Sequence, residues 1–178
     1  FGSEALFSGY DASGNIGLWV TNGTAAGTSE LSVAGASSSH LGLDPSNLKV
    51  FGSEVLFSGT DSSGNANFWV TDGTSAGTSE LTIAGSYSPG LQPTQFAVLG
   101  GKAVFQGTGA DGTQGLWVTD GTSAGTSELS VAGAASFGAV PFDLTAFGSE
   151  VLFAGYDSNS HQNLWVSDGT SAGTSDWR

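Results

Sequence analysis

The stretch LWVTNGTAAGTSEL, Leu18 to Leu31, returns three times: as FWVTDGTSAGTSEL from Phe68 to Leu81, LWVTDGTSAGTSEL from Leu116 to Leu129, and LWVSDGTSAGTSDW from Leu164 to Trp177. The tryptophans of the four copies, Trp19, Trp69, Trp117 and Trp165, stand 50, 48 and 48 residues apart. A fixed step of this size marks a repeat architecture, in which each copy is one supersecondary unit that buries its apolar side only against its neighbours. A second segment keeps the same step. FGSEALFSGYD at Phe1 comes back as FGSEVLFSGTD at Phe51 and FGSEVLFAGYD at Phe147, with a looser LGGKAVFQGTG at Leu99.

Each unit reads as four short strands and shows no helical period. The first strand is Leu48 to Phe51, repeated as Phe96 to Leu99 and Leu144 to Phe147, and a Gly-Ser or Gly-Gly pair then supplies a tight hairpin turn. Glu54 to Gly59 is the second strand, and the turn-forming Asp61-Ser-Ser-Gly-Asn65 leads to the third, Phe68 to Thr71. A Gly-rich stretch, Gly73 to Gly77, precedes a fourth strand expected over Glu80 to Ile83.

The burial pattern separates the possible all-β folds. In the third strand Leu18 and Val20 point one way and Trp19 the other, so both faces are apolar and both must be covered. A lone two-sheet sandwich would leave one face wet. The fourth strand alternates, as in Leu31-Ser32-Val33 and Leu129-Ser130-Val131, which suits the most solvated strand of a blade. The expected fold is therefore all-β, a β-propeller built from about four four-stranded antiparallel blades of 48 to 50 residues. We expect one repeat domain over residues 1–178, with units of about 1–44, 45–92, 93–140 and 141–178. The first copy opens at its second strand, so its inner strand is expected to be missing from the sheet. Uncovered faces carrying Leu, Val and Trp would be adhesive, and predict a homo-oligomer or a place in a longer repeat array.

Composition bounds the partners. The chain has 178 residues with 29 Gly, 27 Ser and 17 Thr, yet 38% are hydrophobic, including 11 Phe and 5 Trp, which is too much apolar material for a disordered tract. Folding at this length buries roughly 70% of the surface of the extended chain. Sixteen acidic residues face only three basic ones, Lys49, Lys102 and Arg178, for a net charge of −13, so nucleic acid and anionic membrane surfaces are excluded as partners. No apolar run approaches the roughly 20 residues needed to span a bilayer, and no membrane insertion is expected. The absence of Cys removes disulfides, thiolate catalysis and Cys-ligated zinc.

The Trp-centred text resembles the ELWxxDGT repeat of large secreted or surface-associated bacterial proteins. The resemblance covers all four copies through the core W-V-[TS]-[DN]-G-T-x-A-G-T. It implies propeller-like blades and an extracellular or cell-surface setting, and it implies no reaction. Two positions depart from the pattern: Gly17, Asn67, Gly115 and Asn163 stand where the motif has Glu, and Asn22 stands where it has Asp.

The most regular motif has a complete structural explanation. An Asp or Asn before Gly accepts bonds from amides two residues on, so Asp72, Asp120, Asp168 and Asn22 are expected to form turns rather than an anion pocket. The four repeat tryptophans suit sugar stacking, yet one Trp at the same place in every blade is also what packing between blades requires.

The loops after the second strand vary between copies and are the better place for a site. They carry Tyr10, Asp11 and Asn15 in the first copy, Asp61 and Asn65 in the second, Asp111 in the third, and Tyr156, Asp157 and His161 in the fourth. Carboxylate and amide groups in pairs can hold neighbouring sugar hydroxyls while a Tyr covers the ring, and the competing reading is an ordinary Asx turn. The connections from Ser37 to Asn47, with His40 and Asp44, and from Ser86 to Gln95, with Tyr87, would line the rim. Asp11-x-Ser13-x-Asn15 spaces oxygens as calcium loops do but lacks the sixth-position Gly and the distal Glu, so no metal and no cofactor is expected. Only His40 and His161 could offer nitrogen to zinc, and they lie in different units.

With two His, no Cys and no Gly-x-Ser-x-Gly elbow, triad chemistry has no home. A glycosidase pair of carboxylates is conceivable, but carboxylates that recur once per unit belong to a scaffold more readily than to one asymmetric active site. The expectation is a non-enzymatic, lectin-like, carbohydrate-binding propeller with repeated shallow sites. The alternative is a structural or adhesive, self-associating repeat module of a secreted or cell-surface protein.

Overall fold

The computed structural model describes residues 2–39 and 41–177, so His40 and the terminal Phe1 and Arg178 lie outside the described residues. Every regular element apart from one short 3-10 turn, Ala25–Gly27, is a β-strand. Among the described residues no helix is long and apolar enough to cross a membrane. The strands form four antiparallel sheets in chain order, as meanders with no crossover inside any sheet.

The chain divides into two compact units, residues 1–82 and 83–178. In the first, β1 (Ala5–Tyr10), β2 (Ile16–Thr21) and β3 (Thr28–Glu30) make a three-stranded sheet, and β4 (Ser46–Phe51), β5 (Glu54–Thr60), β6 (Ala66–Thr71) and β7 (Ser79–Glu80) make a four-stranded one. In the second, β8 (Thr94–Leu99), β9 (Lys102–Thr108), β10 (Gln114–Thr119) and β11 (Ser127–Glu128) form the third sheet. The fourth holds β12 (Phe142–Phe147), β13 (Glu150–Tyr156), β14 (Gln162–Ser167) and β15 (Thr174–Asp176). Among the described residues the first sheet has no strand inside β1, as expected, and β1 has a ladder to β2 alone.

Strand boundaries differ from the sequence reading at several points: the second strand runs one residue further, to Thr60, and the third starts two residues earlier, at Ala66. The inner strands start two residues early, because a bulge lets the pairing jump from Ser46↔Ser58 to Lys49↔Leu56, and likewise at β8 and β12. Asn47, Gln95 and Asp143 sit in this bulge with left-handed φ of 55°, 60° and 56°, a conformation that the short polar side chains of Asn47 and Asp143 tolerate better than apolar ones. The outer strand, expected over Glu80 to Ile83, instead pairs only at Ser79–Glu80, with one further bond from the Leu81 amide to the Phe68 carbonyl at 2.8 Å. Beyond it the chain must leave the outer edge to reach the next sheet, and the left-handed Gly85 marks the departure. The alternation still holds: Leu31 and Leu129 are buried while Ser32 and Ser130 are exposed.

Each unit is held by one packed junction of the same design. In residues 1–82, Leu18, Val20 and Leu31 of the first sheet cluster with Phe57 and Trp69 of the second, and Leu43 of the connection completes the group. In residues 83–178, Val104, Leu116, Val118 and Leu129 meet Val151, Phe153 and Trp165. A face of branched aliphatics thus lies on a face of Phe and Trp, so the apolar character of both sides of the third strand is explained by what covers each side. Trp69, Trp117 and Trp165 are fully buried packing residues rather than open sugar platforms.

The repeated loop braces these junctions. The Thr71 hydroxyl is 2.6 Å from that of Thr78 and accepts from the Gly73 amide at 3.0 Å. Asp72 Oδ1 accepts from the Thr74 amide and hydroxyl at 2.8 and 2.7 Å, and Thr74 Oγ1 accepts from the Gly77 amide at 3.0 Å. Gly73, at φ 90°, takes the turn, while Gly77 lies so close to the Asp72 carboxyl that an added Cβ would collide with it. Ser75 then reaches the first sheet, where its hydroxyl accepts from the Ser32 amide at 3.1 Å, as Ser171 accepts from Ser130 at 3.0 Å.

Candidate functional site

The variable hairpin loops and the long connections emerge together. In the first unit Ser37 donates its amide to the Thr60 carbonyl at 2.9 Å, the Thr60 amide donates to Leu43 at 2.6 Å, and the Ile16 amide donates to Leu41 at 3.1 Å. The second unit repeats this, with the Ala135 amide on the Tyr156 carbonyl and the Tyr156 amide on Ala139 at 3.0 and 2.9 Å. One edge of each unit therefore carries both the hairpin loops and the connections.

In these loops the predicted carboxylates turn inward. Asp11 Oδ1 accepts from the Ser13 and Asn15 amides at 2.7 and 2.8 Å, and its Oδ2 takes the Asn15 side chain at 2.7 Å. Asp61 is buried and holds the Ser63 and Asn65 amides at 2.8 and 2.9 Å and the Asn67 side chain at 3.0 Å. Asp157, also buried, holds the amides of Asn159 and His161, both at 2.9 Å, and the Asn163 side chain at 3.0 Å. Asp111 binds the amide and hydroxyl of Thr113 at 2.9 and 2.7 Å. These bonds to the ionised form hold Asp11, Asp111 and Asp157 below the usual carboxylate range, led by the Asn15 side chain, the Thr113 amide and the His161 amide respectively. Their first task is to shape the Asx turns.

The remaining predicted residues are scattered over the loops. Tyr10 is exposed beside its own turn. Asn15 and Asn65 cap the turns of Asp11 and Asp61. His161 is exposed, its Nδ1 4.0 Å from Asp157 Oδ2. Tyr156 packs between Phe137 and Phe142, at centroid distances of 5.7 and 6.5 Å, an aromatic grouping peculiar to the fourth copy. Among the described residues no three His, Cys, Asp or Glu side chains come together as metal ligands.

Two grooves collect what the loops alone do not. The first, about 300 Å³, runs between β3 and the connection that follows it. Asp11, Asn15, Glu30 and Ser37 to Ser39 supply its polar rim, and Leu18, Leu31, Val33 and Leu43 its apolar floor. The second, about 340 Å³, is built from the corresponding residues of the third copy: Gly115, Leu116, Glu128, Leu129, Ser130, Val131 and Ala134, with Gly138 and Ala139. Glu30 and Glu128 were not legible as site residues, because they belong to the uniform outer-strand text. The signal lay at Gly17 and Gly115: the glutamate carboxylate occupies the space a Cβ there would need. Where the second copy has Asn67 instead, Nδ2 donates to Glu80 Oε1 at 2.7 Å. Loss of hydration raises the pKa of Glu128 and Glu80, with Asp111 and Asp61 adding repulsion.

Four Trp-centred meander sheets, one three-stranded and three four-stranded, define the blade class, and the fold is that of a β-propeller. Solved structures of similar fold include one described as a putative TolB from Agrobacterium tumefaciens, 13% identical with a TM-score of 0.56, and puromycin hydrolase, as the S511A mutant complexed with PGG, 15% identical with a TM-score of 0.56. The first match covers 95% of this chain and 59% of that chain, the second 94% and 26%, so the chain spans only part of either protein. At these identities the likeness is one of fold. No family model matches the sequence, and no curated protein does.

Proposed function

We propose that the chain is a non-enzymatic, carbohydrate-binding propeller module acting in an extracellular or cell-surface setting. The observation that carries this reading is the groove beside β3, where amide, carboxylate and three consecutive serines edge an aliphatic floor. Its volume, about 300 Å³, lies at the lower end of small-molecule sites, and a groove of about 340 Å³ on the corresponding outer-strand residues of the third copy supports a reading with repeated shallow sites, whose number would raise avidity. Hydroxyl-rich ligands match a rim of Asn, Ser and Glu, which offers both donors and acceptors. The immobilised chain is expected to retain glycans from a broad array, and free monosaccharide to release them. Glu30→Gln together with Glu128→Gln should weaken retention, since each leaves the fold's hydrogen-bonded loops untouched. An array with no retained glycan would remove this reading.

A second reading, a structural or adhesive self-associating module, is favoured by a separate observation. Phe7, Phe147, Leu164 and Trp177 are exposed apolar residues on the first and last sheets, at 38%, 65%, 44% and 62% of full accessibility. Light scattering on the sugar-free protein tests it independently of any glycan.

A further inference from the structure

The exposed face of the first sheet and that of the fourth are different and complementary. On the first sheet the open face carries Phe7 and Trp19, directly opposite each other across β1 and β2 with centroids 6.4 Å apart. Their counterparts Phe57, Trp69, Phe153 and Trp165 are buried. On the fourth sheet the register puts Phe147 beside Glu150, Thr145 beside Leu152 and Leu152 beside Val166, and the Trp177 amide bonds to the Leu164 carbonyl. Phe147, Leu152, Leu164, Val166 and Trp177 therefore share one side of that sheet. The counterparts of Leu164 and Trp177, Leu18 and Leu31 in the first unit and Leu116 and Leu129 in the second, are buried against the Phe-Trp face of the following sheet.

We infer that the Leu164 face of one copy docks on the Phe7-Trp19 face of a second copy, head to tail. This deepens the self-association reading and rests on it. The occupant is specified by the molecule itself: an aliphatic face on a Phe-Trp face is the junction already built inside each unit. The two faces belong to different sheets, the first and the last of the repeat series, so the contact is heterologous and can continue from copy to copy. Ala25 stands where Ser75 and Ser171 form their bond to the preceding sheet, so the docked junction lacks that hydrogen bond and is weaker than the internal ones.

The test is light scattering on the full chain over a concentration series, with Phe7→Asp, Leu164→Asp and their mixture. The unaltered chain should grow in mass with concentration, and each variant alone should stay monomeric. An equimolar mixture should give a dimer and nothing larger, because each variant supplies the face the other lacks. Far-ultraviolet dichroism checks that the sheets persist, and Phe7→Ser with Trp177→Ser repeats the design with milder changes. A chain that stays monomeric at high concentration overturns the inference. Variants that still self-associate, or a mixture that does not pair, overturn the head-to-tail contact while leaving association of another kind standing.

Discussion

Trp69 lies across the sheet from Phe57, the two rings stacked with centroids 6.2 Å apart, and its Nε1 donates to the Gly59 carbonyl at 3.0 Å. Both side chains are fully buried, so truncating either leaves a cavity in the packed junction of residues 1–82. Phe57→Ala should destabilise the fold by about 3–5 kcal/mol. Phe7→Ala, at the half-open counterpart, should cost far less. Urea unfolding followed by tryptophan fluorescence checks the ordering, and equal costs would contradict it.

Gly77 is required by contact rather than by backbone angle, since its missing Cβ is where the Asp72 carboxyl lies. Gly77→Ala is expected to cost about 1–3 kcal/mol, as overpacking does. In a Gly77→Ala, Asp72→Ala double variant the two losses should not add, because removing the carboxyl makes room for the methyl. A double-mutant cycle with strictly additive losses would show that the two residues are not coupled.

The buried hydroxyl pair of Thr71 and Thr78 gives a third expectation. Thr71→Val keeps the shape, strands the Gly73 amide and removes one bond from the Thr78 hydroxyl, which still donates to the Thr74 carbonyl, at a cost of about 1–3 kcal/mol. Thr71→Ser, the change the fourth copy already carries at Ser167, should be much milder. Thermal melts of both variants decide it.

Acid should destabilise the protein through its turns. Asp72, Asp120 and Asp168 are held below 3.8, first by the hydroxyls of Thr74, Thr122 and Thr170, so their contribution is present above pH 3.8 and is lost as pH falls through their lowered values. Asn at these positions, as at Asn22, accepts the same bonds without titrating. The triple variant Asp72→Asn, Asp120→Asn, Asp168→Asn should therefore show a flatter fall in melting temperature below pH 3.8.

Glu128 has the opposite sign. Its pKa is raised above 4.5, so its stabilising contribution is complete below pH 4.5 and disappears as pH rises through the raised value. Glu128→Gln should match the parent at pH 4 and melt higher at pH 7.

Much of this fold was legible because the sequence states it four times. The spacing of Trp19, Trp69, Trp117 and Trp165 set the unit, and the two-sided apolar third strand required cover on both sides. The bulge at Asn47 and the shortness of Ser79–Glu80 were not legible, since both follow from how the chain crosses between sheets rather than from side-chain alternation. At the candidate site, Asp11 and Asn15 were readable as a pair. Their engagement with each other is the Asx turn that the spacing also allowed, whereas the place of Glu30 in the groove depended on Gly17 leaving room for a side chain from a neighbouring strand.

The two-residue outer strands carry one further implication. Neighbouring copies are so alike that a strand from one could pair with another during refolding, and exposed strand edges are the usual seeds of amyloid growth. An edge that offers only Ser79–Glu80 or Ser127–Glu128, each ending in a charge, gives an incoming strand too few ladder bonds to hold it. The rims of the second and third sheets thereby resist fibril templating, while the apolar sides of the first and fourth stay available for docking.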